Sequence, residues 1–199
     1  MPRSGERTRR RILDAAYGLF YRGGFARAGV DAIAEAAGVT KRTLYDHFRS
    51  KDALLAAVLD AQHALVLARI QGWAARAEGD PARTVELVFE ELAAWARTPG
   101  WQGSGFTRAV MELADLPGHP ARHAASRHKA AVERWFADEL GRGGVGGAPT
   151  VARQVMLLIE GCLSLILIHG DPSYAVTAAA AARRLVEHGL TRSAERTSP

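Results

Sequence analysis

One cysteine, Cys162, stands among 199 residues, so neither an internal disulfide nor a cysteine-based zinc site can hold the fold together. Lysine is almost as scarce. Lys41, Lys51 and Lys129 are the only three, and no Gly-Lys-Ser/Thr triplet exists to form a phosphate-binding P-loop. Long apolar runs are missing as well: the longest, Val155 to Ile168, is broken by Glu160, Gly161 and Ser164 and is too short for a bilayer. The N-terminus is rich in arginine and has no apolar signal region, which points to the cytoplasm and away from membranes. No stretch alternates apolar and polar residues over more than a few positions, so strands are not expected. The run GRGGVG, Gly141 to Gly146, has the spacing of a dinucleotide loop. It follows a helical pattern with no strand before it and therefore reads as a flexible loop, and no cofactor is expected.

What is present is a globular composition, 48% hydrophobic and 24% charged, with an uneven distribution of charge. Residues 1–50 carry ten Arg/Lys against five Asp/Glu, whereas the remainder carries sixteen of each, so the whole formal +5 sits in the first quarter. A basic head on a neutral body suggests a polyanionic partner; a solvated arginine-rich face would give the same arithmetic.

Apolar residues recur at helical spacing along nearly the whole chain, which predicts an all-α protein of about nine helices with no internal repeat. The first carries Ile12, Ala15, Ala16, Leu19 and Phe20 and stops at Gly23-Gly24. A short second helix carries Val30, Ile33, Ala34 and Ala37 and stops at Gly38. A short third begins after Thr40 as N-cap, with Val39 and Leu44 placed for a hydrophobic staple. Ser50 can cap a long fourth helix to about Glu78 with Leu54, Val58, Leu65 and Ala68 inward. Asp80-Pro81 and Asp171-Pro172 open the fifth and ninth helices, since proline's missing N–H costs nothing at the first helical position. The sixth carries Phe106, Ala109, Val110 and Leu113; the seventh runs from Pro120 to about Leu140; Thr150 caps an eighth to about His169. The ninth ends near His188-Gly189, and the last ten residues read as frayed.

Helices two and three form a helix-turn-helix pattern, the unit that presents its second helix to the DNA major groove. Leu44 and Phe48 lie one turn apart and must face inward. Arg42, Thr43, Tyr45 and Asp46 then point out, with Lys41 and His47 on the shoulders, a face rich in groups that reach bases or phosphates. The strings ILDAAYGLF, VDAIAEAAGVTKRTLYDHF and SKDALL, all within Arg9 to Leu55, closely resemble the N-terminal domain of the TetR (tetracycline-repressor-like) family of transcriptional regulators. By that resemblance Lys41, Arg42 and Thr43 face bases, Tyr45 meets a phosphate or a thymine methyl, and Thr40, His47 and Lys51 hold phosphates. Lys51 also sits beside the first amides of helix four, a natural phosphate seat. Gly29 stands where the family usually has Ser or Thr capping helix two, which removes one phosphate contact common in the family. Asp46 is unfavourable beside phosphates unless it accepts from a cytosine amine or pairs with Arg42 or Arg49.

The resemblance further implies a DNA-binding domain over residues 1–50 and a helical effector and dimerisation domain over 51–199. It implies a homodimer formed through helices eight and nine on a near-palindromic double-stranded operator, released by a small apolar effector. Ala175, Ala178, Ala179 and Ala182 on helix nine, with Leu158, Cys162, Leu165 and Ile166 around Gly161 on helix eight, could form the dimer contact or pack within the chain. Trp95, Phe106, Met111 and Trp135, with Glu160, are the candidate effector wall; simple core packing is the other reading of these aromatics. An ionised Glu160 inside an apolar stripe must be paired, and Arg153 or Arg108 are its candidate partners. A regulator without effector is the alternative within DNA binding. A helical enzyme built on His119, His123 or Glu160 is disfavoured, since no assembled acid-base set or third metal ligand accompanies them. Cys162 and His169 lie two turns apart, too far for a nucleophile and its base.

Overall fold

The computed structural model describes residues 3–197. They form nine α-helices and one turn of 3-10 helix, with no strand among the described residues. The helices are α1 (Arg3–Gly23), α2 (Val30–Ala36), α3 (Lys41–His47), α4 (Lys51–Ala74), α5 (Pro81–Ala96), α6 (Gly105–Glu112), α7 (Pro120–Arg142), α8 (Ala148–His169) and α9 (Tyr174–Thr197), with the 3-10 turn at Ala75–Ala77. The chain divides into two compact units, Met1–Leu65 with Ser104–His128, and Val66–Gly103 with Lys129–Pro199.

The first unit is built from α1, α2, α3, the start of α4, α6 and the start of α7. Ile12, Ala16 and Phe20 form the inward stripe of α1, Ile33 that of α2, Leu44 that of α3, and Leu54 and Val58 that of α4; all are essentially inaccessible to solvent. Each long side chain so removed from water contributes about 1.5–3 kcal/mol. That is how helices of only two turns, α2 and α3, are held although neither would persist alone.

In the second unit, α5, α8 and α9 pack around Val85, Phe89, Phe136, Leu140, Ala152, Val155 and Val186. Asp80 caps α5 as its spacing predicts, accepting from the amides of Ala82 at 2.8 Å and Arg83 at 3.1 Å. Such a cap contributes about 1 kcal/mol. Both α4 and α8 are long and apolar enough to cross a bilayer by length and composition. Val155, Ile159, Cys162, Leu163 and Ile166 of α8 are nonetheless buried within the unit's core.

Several expectations require correction. Leu65 and Ala68 of α4 are exposed, and the buried side continues instead through Ile70 and Ala74. The helix is apolar on more than one side here, so its pattern does not choose a face. Thr150 lies inside the first turn of α8 rather than at its cap, which is Gly147. Asp171 accepts from the amide and hydroxyl of Ser173 at 2.9 and 2.7 Å, and α9 begins one residue later at Tyr174. Gly189 does not stop α9, which continues to Thr197, so the expected frayed end is helical; residues 198 and 199 lie outside the described residues.

GRGGVG is not a flexible loop: Val145 is buried, and the Gly146 amide donates to the Gly189 carbonyl at 3.0 Å. The two features explain each other, because α9 needs a glycine where the loop backbone touches it. The alanine face of α9 is also an intrachain surface. Ala175, Ala178 and Ala182, with Cys162 and Ile166 of α8, are buried in this core.

A Cβ at Gly189 would fall 2.5 Å from Val145 Cγ1 and 3.1 Å from the Gly146 carbonyl oxygen, whereas one at Gly72 in α4 would meet nothing within 4 Å. Gly189→Ala should therefore destabilise by about 1–3 kcal/mol through overpacking, and Gly72→Ala should stabilise by up to about 1 kcal/mol through helix propensity. Urea unfolding of the two variants beside wild type checks both signs.

Candidate nucleic-acid interface

Four contacts fix α3. Thr40 caps it, its Oγ1 accepting from the Thr43 amide at 3.0 Å and lying 2.9 Å from the Thr43 hydroxyl. Leu44 and Phe48 are buried, as their spacing requires. Arg11 of α1 donates to the carbonyls of Ala37 and Gly38, placing a cation at the C-terminal end of α2 where the helix dipole favours it. The Arg9 guanidinium lies 5.0 Å from the centroid of the Phe48 ring. The structural roles of Arg9 and Arg11 depend on contacts made 26 to 39 positions away, which no local pattern in the arginine-rich head records.

With that side anchored, Thr40, Lys41, Arg42, Tyr45 and Asp46 are exposed, and Thr43 and His47 are half-buried at the margins. Arg42, Tyr45 and Asp46 thus face out and His47 sits on the shoulder as the spacing predicts, whereas Thr43, expected on the outer face, is at the margin and Lys41, expected on the shoulder, is exposed. Gly29 precedes α2 with no side-chain cap bond, as expected from a residue without a side chain. Lys41 is not free: its ammonium lies 2.9 and 3.1 Å from the two carboxylate oxygens of Asp31 on α2. That hydrogen bond, backed by the Asp31 charge, holds the lysine above its ordinary range. Asp46, by contrast, takes part in none of the ion pairs among the described residues, so neither Arg42 nor Arg49 neutralises it.

At the start of α4, Ser50 accepts from the Ala53 amide at 3.0 Å, and Lys51 Nζ donates to the Ala26 carbonyl at 2.9 Å. A lysine ammonium has three donors. The one spent on Ala26 leaves two to point at an anion.

The candidate effector residues are divided between the two compact units, Phe106 and Met111 in the first, Trp95, Trp135 and Glu160 in the second. Met111 is 71% exposed on the first unit. Phe106, also of the first unit, is stacked on buried His128, centroids 3.7 Å apart and planes 10° from parallel. His128 in turn has its Nδ1 3.0 Å from Nδ1 of His63. Trp95 and Trp135 belong to the second unit, half-buried against its core; Trp95 meets Trp101 edge-on at 5.8 Å, and Trp135 leans on Phe136 at 4.7 Å. Glu160 is paired, as its position in an apolar stripe demands, but with Lys129. Arg153 binds Glu133 instead, and Arg108 donates to the Tyr21 carbonyl.

The other chemical candidates are likewise accounted for. His119 is buried, with Nε2 3.3 Å from Asp52 and Nδ1 accepting from the Ala121 amide, while His123 is exposed. No group of three metal-ligating side chains occurs among the described residues. Burial pushes the Cys162 thiol up to about 11, which keeps it protonated and unreactive at neutral pH.

Comparison with known proteins converges on this helical head. The family model described as bacterial regulatory proteins, tetR family, matches residues 12–58. The transcriptional regulator TtgR of Pseudomonas putida is 37% identical over 97 residues, an overlap of 47% of this chain and 46% of that one, so the chain matches about half the length of this curated relative. Over most of the chain the likeness is carried by solved structures. A TetR-type transcriptional regulator of Streptomyces avermitilis is 34% identical with a TM-score of 0.73, covering 88% of this chain and 97% of its own. The TetR-family regulator SCO4454 of Streptomyces coelicolor is 27% identical with a TM-score of 0.78, covering 93% and 97%. With a capped, outward-facing α3 on a helical head and this likeness running nearly end to end, the chain belongs to the TetR family of DNA-binding transcriptional regulators.

Proposed function

We propose that this regulator is a cytoplasmic, one-component repressor. A homodimer sets α3 of each copy into the major groove of a near-palindromic operator and leaves it when a small, largely apolar molecule binds. The observation that carries this reading is the outer face of α3, polar and exposed while Leu44 anchors its opposite side. Residues 1–50 are the reading head and 51–199 the effector and dimerisation domain. Lys41, Arg42 and Thr43 address base edges, Tyr45 a phosphate or thymine methyl, and Thr40, His47 and Lys51 the phosphates. Asp31 takes part indirectly, since its carboxylate holds the Lys41 ammonium from which a remaining donor would serve a base.

The dimer reading rests on α8 and the start of α9, but on other residues than the alanine face. Leu157, Leu165, Ile168 and Val176 are exposed apolar side chains, and the three from α8 lie on one stripe with Gly161 and Ser164. A stripe of this kind is what a second helix pair would cover. The effector reading rests on Trp95 and Trp135, both half-buried. A second reading, a regulator with no small-molecule effector, is favoured by the partners already held by two expected ligand contacts: His128 by Phe106 and Lys129 by Glu160.

Three measurements test these proposals. On duplexes selected from a random pool, Lys51→Ala should weaken all sequences about equally and lower the salt slope by about one, while Arg42→Ala should cost about 1–3 kcal/mol mainly at one base position. Uniform loss from both variants defeats the assignment of Arg42.

Ile168→Arg should turn a sedimenting dimer into monomer, and wild type should protect two half-sites about 34–36 Å apart or a multiple of that spacing. A dimer unaffected by Ile168→Arg assigns the interface elsewhere.

For the effector, tryptophan quenching should report binding in a screen of apolar compounds, and Trp135→Ala should weaken that response while leaving operator affinity nearly intact. A screen without any binder favours the effector-free reading.

A further inference from the structure

The loop between α1 and α2 is held from two directions by charged side chains. After Gly24, in the left-handed conformation at φ +88°, the amides of Phe25 and Ala26 both donate to the same carboxylate oxygen of Glu112, at 2.7 and 3.2 Å. Successive backbone N–H groups converging on one anion form a nest, a small concavity built for negative charge. A Cβ on Gly24 would lie 3.2 and 3.3 Å from the two Glu112 oxygens, a tight contact the carboxylate would have to ease, while the φ itself favours glycine. One turn earlier on α6, Arg108 donates to the Tyr21 carbonyl at 2.8 Å and lies 3.9 Å from Glu112. On its other side, the Ala26 carbonyl accepts from Lys51 at 2.9 Å.

We propose that Glu112 is a positioning residue for DNA binding: from α6 it seats the α1–α2 loop, and through Ala26 it fixes Lys51 for its phosphate. A lysine on its four-carbon stem samples many rotamers, and binding must order it unless the protein has already done so. The carbonyl of Ala26 can hold one of its protons only if the loop itself is held. Donors and acceptors in such a chain polarise one another, carboxylate to amides at one end and carbonyl to ammonium at the other. Sequence spacing gives no sign of this link, because Glu112 stands 86 positions from Ala26.

The inference rests on reading Lys51 as a phosphate contact, and the experiment separates the two. Amide hydrogen exchange is measured in Glu112→Ala and Glu112→Gln, and their affinities are measured on duplexes selected from a random pool by the wild-type protein. Glu112→Ala should strip protection from the Phe25 and Ala26 amides while sparing those of α5 and α9, and should weaken duplex binding about tenfold. Glu112→Gln, which keeps an acceptor oxygen at the same reach, should restore most of both. Lys51→Ala should abolish the binding effect of the Glu112 change, making the double variant no weaker than Lys51→Ala alone.

Retained protection at Phe25 and Ala26, unchanged affinity in Glu112→Ala, or an additive double variant overturns the role of Glu112. An unchanged salt slope in Lys51→Ala overturns the phosphate reading instead, whatever the amides do. If Glu112→Ala does not fold, Glu112→Asp, which keeps the charge but shortens the reach, is read by the same criteria.

Discussion

Leu44 is the one residue of α3 removed from solvent, and the orientation of this seven-residue helix depends first on that side chain. With so few hydrogen bonds of its own, α3 exists because tertiary contacts hold it. Leu44 and Phe48 set the rotation about the helix axis, the Thr40 cap sets where the helix starts, and Arg11 closes the end of the helix before it. The direction in which Arg42 and Tyr45 point follows from those contacts. A core of apolar side chains thereby controls a polar surface whose own residues do little to position one another.

Many charged groups in this protein either fasten backbone or lie against each other in water. Arg11, Glu112, Asp80 and Lys51 all bind backbone carbonyls or amides. The pairs of Arg83 with Glu90 and Arg183 with Glu187 are largely exposed and contribute little, about 0–1 kcal/mol each, once solvent screening and side-chain entropy are counted. The first group determines where loops go. The second keeps the surfaces of α5 and α9 solvated.

The helical architecture was legible because helix periodicity and punctuation are local. Asp80-Pro81, Thr40 and Ser50 all act as the caps their spacing predicts, and Leu44 and Phe48 are buried together. What could not be read is what long-range contacts decide. The exposed side of α4 beyond Val58, the partner of Glu160 and the covering of the α9 alanines each depend on which helix lies alongside. Glycine misled twice, at Gly189 and in GRGGVG, since the residue that ends helices is also the residue that permits backbones to touch. For the site, chain pattern identified the outer face of α3, while the restraint of Lys41 by Asp31 and of Lys51 by Ala26 required the fold.

The contact between Gly146 and Gly189 bears on how this chain can be cut or extended. By composition, the segment between α7 and α8 is the natural place for a fused reporter, a protease site or new termini. It is instead a clasp: Val145 is buried, and the Gly146 amide is bound to the middle of α9. An insertion there would prise the last helix from its core, and the stretch that looks most like a linker is among the least tolerant of being used as one.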